Sequence, residues 1–184
     1  MRKLKALACA AFALAMVLAL AGCGSQQQGQ QQAQEEQKTA NVGDEVQVQT
    51  KYGDLNVTVT GFETDKATTD QYRKIGGSWF DKDGTFAALT MTVENVSYEN
   101  KDVTPADTLP IGNYVAALED GAEMKPLDTG ESYGTYTNAL NGYLQDFPAG
   151  KKAKVALSYC LTDVPSQVTV KVGDTEVTVD VATK

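Results

Sequence analysis

The side chains able to do chemistry are few and unevenly distributed. The 184-residue chain has no histidine and three cysteines, Cys9, Cys23 and Cys160. Without histidine the commonest general base and metal ligand is missing. No Ser-His or Cys-His pair can activate a nucleophile, and no Ser-Xaa-Xaa-Lys arrangement occurs. Paired carboxylates of the glycosidase kind stay open, because acids are plentiful, but no spacing singles out two of them. Asp81-Lys82-Asp83-Gly84 opens like a calcium loop, yet Phe86 stands at the sixth position, where glycine is required. An Asp-Gly turn between strands is the reading there. The expectation is a non-enzymatic protein with no catalytic residue, no cofactor and no metal ligand set.

Cys23 is the exception, through its context. Basic Arg2, Lys3 and Lys5 precede an apolar run over residues 6–21, and small residues follow. That pattern marks a secretory signal peptide. At 16 residues the run is shorter than the roughly 20 a spanning helix needs, although an uncleaved anchor is the alternative. Leu20-Ala21-Gly22-Cys23 resembles the lipobox of bacterial lipoproteins. The resemblance implies cleavage before Cys23 and diacylglyceration of its thiol, hence a lipid anchor on the extracytoplasmic face of the cell membrane. With Cys9 removed and Cys23 acylated, Cys160 is left without an intrachain disulfide partner, so stability must come from core burial.

Removing Arg2, Lys3 and Lys5 from 16 basic residues leaves 13 against 24 acidic ones, a net charge of −11. Such a surface repels phosphate backbones, so no nucleic-acid partner is expected. It also leaves membrane attachment to the lipid rather than to protein charge.

Three segments follow: a signal peptide over 1–22, a glutamine-rich tether over 23–39, and a folded domain over 40–184. The tether has almost no apolar side chain with which to offset its ordering entropy. Beyond it the apolar period is two. Leu55, Val57 and Val59 alternate with Asn56, Thr58 and Thr60. The same pattern recurs at Ala87, Leu89, Met91 and Val93, at Val155, Leu157, Tyr159 and Leu161, and at Val168, Val170, Val172, Val177, Val179 and Val181. One face of each strand should meet a core and the other water. Gly173-Asp174 suits a type II′ hairpin; Glu119-Asp120-Gly121 and Pro148-Ala149-Gly150 mark further turns. No stretch after Lys38 sustains a helical apolar period. The fold expected is all-β, an antiparallel β-sandwich of about seven to nine strands.

An ordered set of short motifs resembles a family of secreted immunoglobulin-like domains of unknown function. These follow a lipobox and polar linker in mostly Gram-positive bacteria. The set comprises Val42-Gly43-Asp44, Leu55-Asn56-Val57-Thr58-Val59-Thr60-Gly61-Phe62-Glu63, Met91-Thr92-Val93-Glu94-Asn95, Leu118-Glu119-Asp120-Gly121, Phe147-Pro148-Ala149-Gly150-Lys151-Lys152 and Val164-Pro165. The resemblance implies an immunoglobulin-like sandwich without catalytic residues.

Longer segments at about 64–84 and 128–142 depart from that pattern and concentrate the aromatics. Tyr72, Trp79 and Phe80 lie in the first, with Tyr133, Tyr136 and Tyr143 in and beside the second. Large rigid rings of this kind grip ligands or partner proteins, but they also cover sandwich ends. These six are the candidate binding residues. Cys160 has opposite parity to Tyr159 and Leu161, so its side chain should face outward or toward a covering loop. The function expected is presentation of a β-sandwich to an envelope protein or small ligand. The alternative is an accessory subunit that pairs with an envelope complex through an edge strand.

Overall fold

The computed structural model describes residues 38–76, 79–102, 105, 108–128 and 133–184. The signal peptide, Leu20-Ala21-Gly22, Cys23 and nearly all of the tether lie outside them. The alternating runs become long strands: β2 (Glu45–Thr50), β3 (Gly53–Thr64), β4 (Thr85–Asn95), β5 (Val115–Glu119), β8 (Lys152–Leu161), β9 (Gln167–Val172) and β10 (Thr175–Thr183). Short pieces complete the set: β1 (Lys38–Ala40), β6 (Ala122–Glu123) and β7 (Thr137–Asn138).

One leaf of the sandwich runs β6-β5-β9-β10 with β1 beside β10; the other runs β2-β3-β4-β8-β7. All pairings between long strands within a leaf are antiparallel. Three short parallel pairings depart from the wholly antiparallel expectation: β1 with β10, β7 with β8, and the end of β10 with β3. The last joins the leaves, because β10 leaves β9 after Asp180 and sets Val181–Thr183 against Phe62–Thr64. Two-residue turns tighten the hairpins as their sequences demand. Asp120 and Gly121 both have positive φ, as a type I′ turn needs, and Gly173 has φ +56 at the first position of its turn.

The alternating apolar residues meet between the leaves. Leu55, Val57, Leu89, Met91, Val155 and Leu157 from one leaf pack in the same core as Val168, Val170, Val172 and Val177 from the other. Phe62 stacks on Tyr159 at 5.9 Å between ring centres. Burial of this much aliphatic surface, at about 25 cal/mol per Å², stabilises a fold whose described cysteine is unpaired.

Two expectations need correction. In the middle of β4 and β8 the second face is also covered: Ala88, Thr90, Ala156 and Ser158 are all buried. The cover includes a helix that the absence of apolar periodicity argued against, α1 (Lys66–Ile75). It buries only Thr69 and Tyr72, so the period has too few apolar members to show. Its ends instead carry the signal. The Asp65 carboxylate accepts from the Thr68 N–H at 2.7 Å, Arg73 and Lys74 occupy the last turn, and Gly76 closes it at φ +66.

Candidate functional site

A register shift in β3 builds the site. Leu55, Val57 and Val59 face the core, then the pairing with β4 slips between Val59 and Gly61, and Phe62 and Thr64 become the buried residues. A bulge of this kind inverts the parity of everything after it. Glu63 and Asp65 are thereby turned to the outer face, beside Ala88 of β4 and Ser158 of β8. Asp65 then caps α1, which fixes where the helix starts.

Thr69 holds the helix down. Its hydroxyl donates to the Asp65 carbonyl at 2.7 Å and accepts from the Phe86 N–H at 3.0 Å. Arg73 donates to the Gly84 carbonyl from two nitrogens, at 2.8 and 3.2 Å. Beneath the helix a second small core forms from Tyr72, Phe80, Phe86 and Ala88, with Leu127, Tyr133 and Cys160 packed against it. Tyr72 meets Trp79, Phe80 and Phe86 edge-on, at 5.1, 5.5 and 5.4 Å. Rings in this arrangement bring each positive edge to a negative face.

Opposite α1, Tyr133 and Tyr136 form a small hairpin, closed by the Tyr136 N–H donating to the Tyr133 carbonyl at 2.9 Å. Gly134 supplies the positive φ of +57 that its first loop position needs. Between helix and hairpin lies a cleft of about 360 Å³, lined among others by Glu63, Asp65, Thr68, Tyr133, Tyr136 and Lys184. The Lys184 ammonium donates to both Glu63 carboxylate oxygens, each at 2.6 Å, and lies 6.0 Å from the centre of the Tyr133 ring. The Glu63 side chain is only 13% exposed. That contact raises the Lys184 pKa above the ordinary lysine value. Burial, then the neighbouring Glu63 and Asp65 carboxylates, push the Tyr133 phenol well above the usual tyrosine range. Its hydroxyl donates to Asp65 across 3.5 Å.

The structure thus sorts the six aromatic candidates. Tyr72, Tyr133 and Tyr136 line the cleft. Phe80 is buried in the small core behind Tyr72, and Trp79 leans on both with 38% of its surface exposed. Tyr143 is exposed at the Asn141-Gly142 turn, whose two positive φ values give another type I′ hairpin, and it does not line the cleft. Glu63, Asp65 and Lys184 were not among the candidates. The break from Val59 to Phe62 around Gly61 was the available signal, since an apolar step of three inside a period of two marks a bulge.

The cleft offers two carboxylates, an ammonium, phenols and the hydroxyls of Thr68 and Ser158. Asp81-Lys82-Asp83-Gly84 forms a tight turn, with the Asp83 N–H donating to the Asp81 carboxylate and the Gly84 N–H to the Asp81 carbonyl. Cys160 is half-buried against that turn, its thiol pKa raised by burial. A larger groove of about 560 Å³ runs along the outer edge of β2 past Gln47, Val48 and Gln49. None of the six aromatics lines it.

No protein-family model matches the chain, and no curated protein matches it. The crystal structure of MPT63, a secreted protein from Mycobacterium tuberculosis, is similar to it with a TM-score of 0.45 and 16% identity, over 77% of this chain and 95% of that one.

Proposed function

We propose that this chain is a lipid-anchored, extracytoplasmic binding protein without catalytic activity. In this reading the cleft between α1 and the Tyr133–Tyr136 hairpin is its binding site. The observation that carries the reading is the convergence of both aromatic segments on one polar cleft. The first contributes Tyr72 and the helix, the second contributes Tyr133 and Tyr136. Acyl chains on Cys23 hold the protein at the membrane. The glutamine-rich segment links that anchor to the sandwich. The sandwich keeps the cleft rigid.

Exchange of Cys23 for Ala should move the protein from the membrane to the soluble fraction, and the native N-terminal peptide should carry the diacylglyceryl mass. A variant that still fractionates with membrane contradicts the anchor. Exchange of Tyr136 for Ala should remove captured envelope material with only a small drop in melting temperature, because the ring is only half-buried.

A second reading rests on the edge of β2, which among the described residues pairs only with β3. Its exposed side chains, Glu45, Gln47 and Gln49, include a single charge, so little opposes addition of a partner strand. Lysine introduced at Gln47 and Gln49 would abolish envelope capture under that reading and leave it intact under the first.

A further inference from the structure

We infer that the cleft is built to take a primary ammonium on an unbranched alkyl stem, the side chain of a lysine in a partner protein, and that Lys184 occupies it as an internal competitor. This deepens the binding reading above and depends on it.

Three observations converge on that ligand. The Glu63 carboxylate is turned into the cleft by the β3 bulge and is mostly buried. It already holds an alkylammonium through both oxygens. That group is a lysine head, so the carboxylate is placed and oriented to hold one. Second, the ammonium faces the Tyr133 ring at 6.0 Å, within the range where a ring quadrupole attracts a cation. Third, Asp65 is left as additional negative charge at the rim once Glu63 and Lys184 neutralise each other. Its two oxygens are already directed at the Thr68 N–H and the Tyr133 hydroxyl, which fixes it in place.

Lys184 is well suited to yield. Its side chain is 58% exposed, so the ammonium is already largely hydrated and loses little on release, whereas the mostly buried Glu63 carboxylate then needs a replacement cation. Its backbone is held separately, with the N–H donating to the Thr64 carbonyl at 2.9 Å and the carbonyl accepting from the Lys66 N–H at 3.3 Å. The head can therefore leave while the chain stays. A competing lysine would then meet the same two oxygens, and the mature net charge would favour its approach.

The test uses the full lipidated protein in detergent micelles, with ring-labelled tyrosine. Three probes are added: acetyl-lysine methylamide carrying a free ε-amine, its neutral norleucine counterpart, and its ε-trimethyl form. The lysine probe should shift Tyr133 and Tyr136 and bind Lys184→Met about tenfold more tightly than the native protein, as expected when a site goes from mostly self-occupied to free. It should also raise the melting temperature of that variant more than that of the native chain. Glu63→Gln in the Lys184→Met background should remove the gain while keeping the fold. The trimethyl form, which cannot donate to Glu63, should bind more weakly than the lysine probe. Equal binding by norleucine, or no gain in Lys184→Met, overturns the ammonium assignment. If norleucine or an envelope extract still shifts Tyr133 and Tyr136, the cleft stands as a site with a different ligand. If nothing shifts them, both readings fall.

Discussion

Gly84 lies against the sulfur of Cys160: a methyl group on its α-carbon would come within 2.2 Å of Sγ. The turn at Asp81–Gly84, the cover over the small core and the outward parity of Cys160 meet at this one contact. Exchange of Gly84 for Ala should cost about 1–3 kcal/mol, the usual range for overpacking. Cys160→Ala removes the clashing atom. In a double-mutant cycle followed by urea denaturation, the pair should be more stable than Gly84→Ala alone. Strict additivity would show that the contact is not tight.

Thr69 is the bolt between helix and sheet. Thr69→Val keeps the shape and removes the acceptor of the Phe86 N–H, leaving a buried donor unpaired, at about 1–3 kcal/mol. Hydrogen exchange should accelerate across α1 and at Phe86, while amides of the main core, such as Val170 and Leu157, keep their protection. Thr69→Ser, which retains the hydroxyl, should restore most of the loss. Uniform acceleration through both regions would mean that the helix is not a separable cover.

Stability should fall in alkali. Burial raises Tyr114 from the ordinary 10.0 to about 12, and Tyr133 and Tyr159 are raised further, burial again being the leading cause. A raised folded pKa means that the unfolded chain loses the proton first. The contribution is thus complete below pH 10 and declines as pH rises through about 12. The raised pKa of Lys184 acts in the same direction. Urea midpoints measured from neutral pH upward should be flat to about pH 10 and then drop, with phenolate absorbance rising alongside. A midpoint that stays level to pH 12 would contradict the burial of these phenols.

Much of the main core was legible because strands announce themselves through a period of two. Leu55, Val57, Met91, Leu157 and Val170 all occupy the buried positions their alternation assigns, and Gly173-Asp174 turns as a glycine-first pair should. The second face of β4 and β8 was not legible. Ala88 and Ser158 are small or polar, and nothing local distinguishes a small residue facing water from one facing a helix. Helix α1 was hidden for a related reason: one tyrosine and one threonine anchor it, so only its cap and last turn mark it. Half of the cleft could be read from aromatic content. The other half, Glu63, Asp65 and Lys184, depends on a bulge and on β10 crossing between leaves, relationships that pair residues 121 apart in the chain.

The claim that the cleft is the working site of a tethered protein meets its most direct test in intact cells. A photo-cross-linking side chain replaces Thr135, the exposed tip residue of the Tyr133–Tyr136 hairpin, and in a parallel strain replaces Val164, an exposed position that does not line the cleft. The expected result is a discrete adduct from position 135, absent from position 164 and lost when Glu63 is changed to Gln. Identical labelling from both positions, or an adduct at 135 indifferent to Glu63, would contradict it.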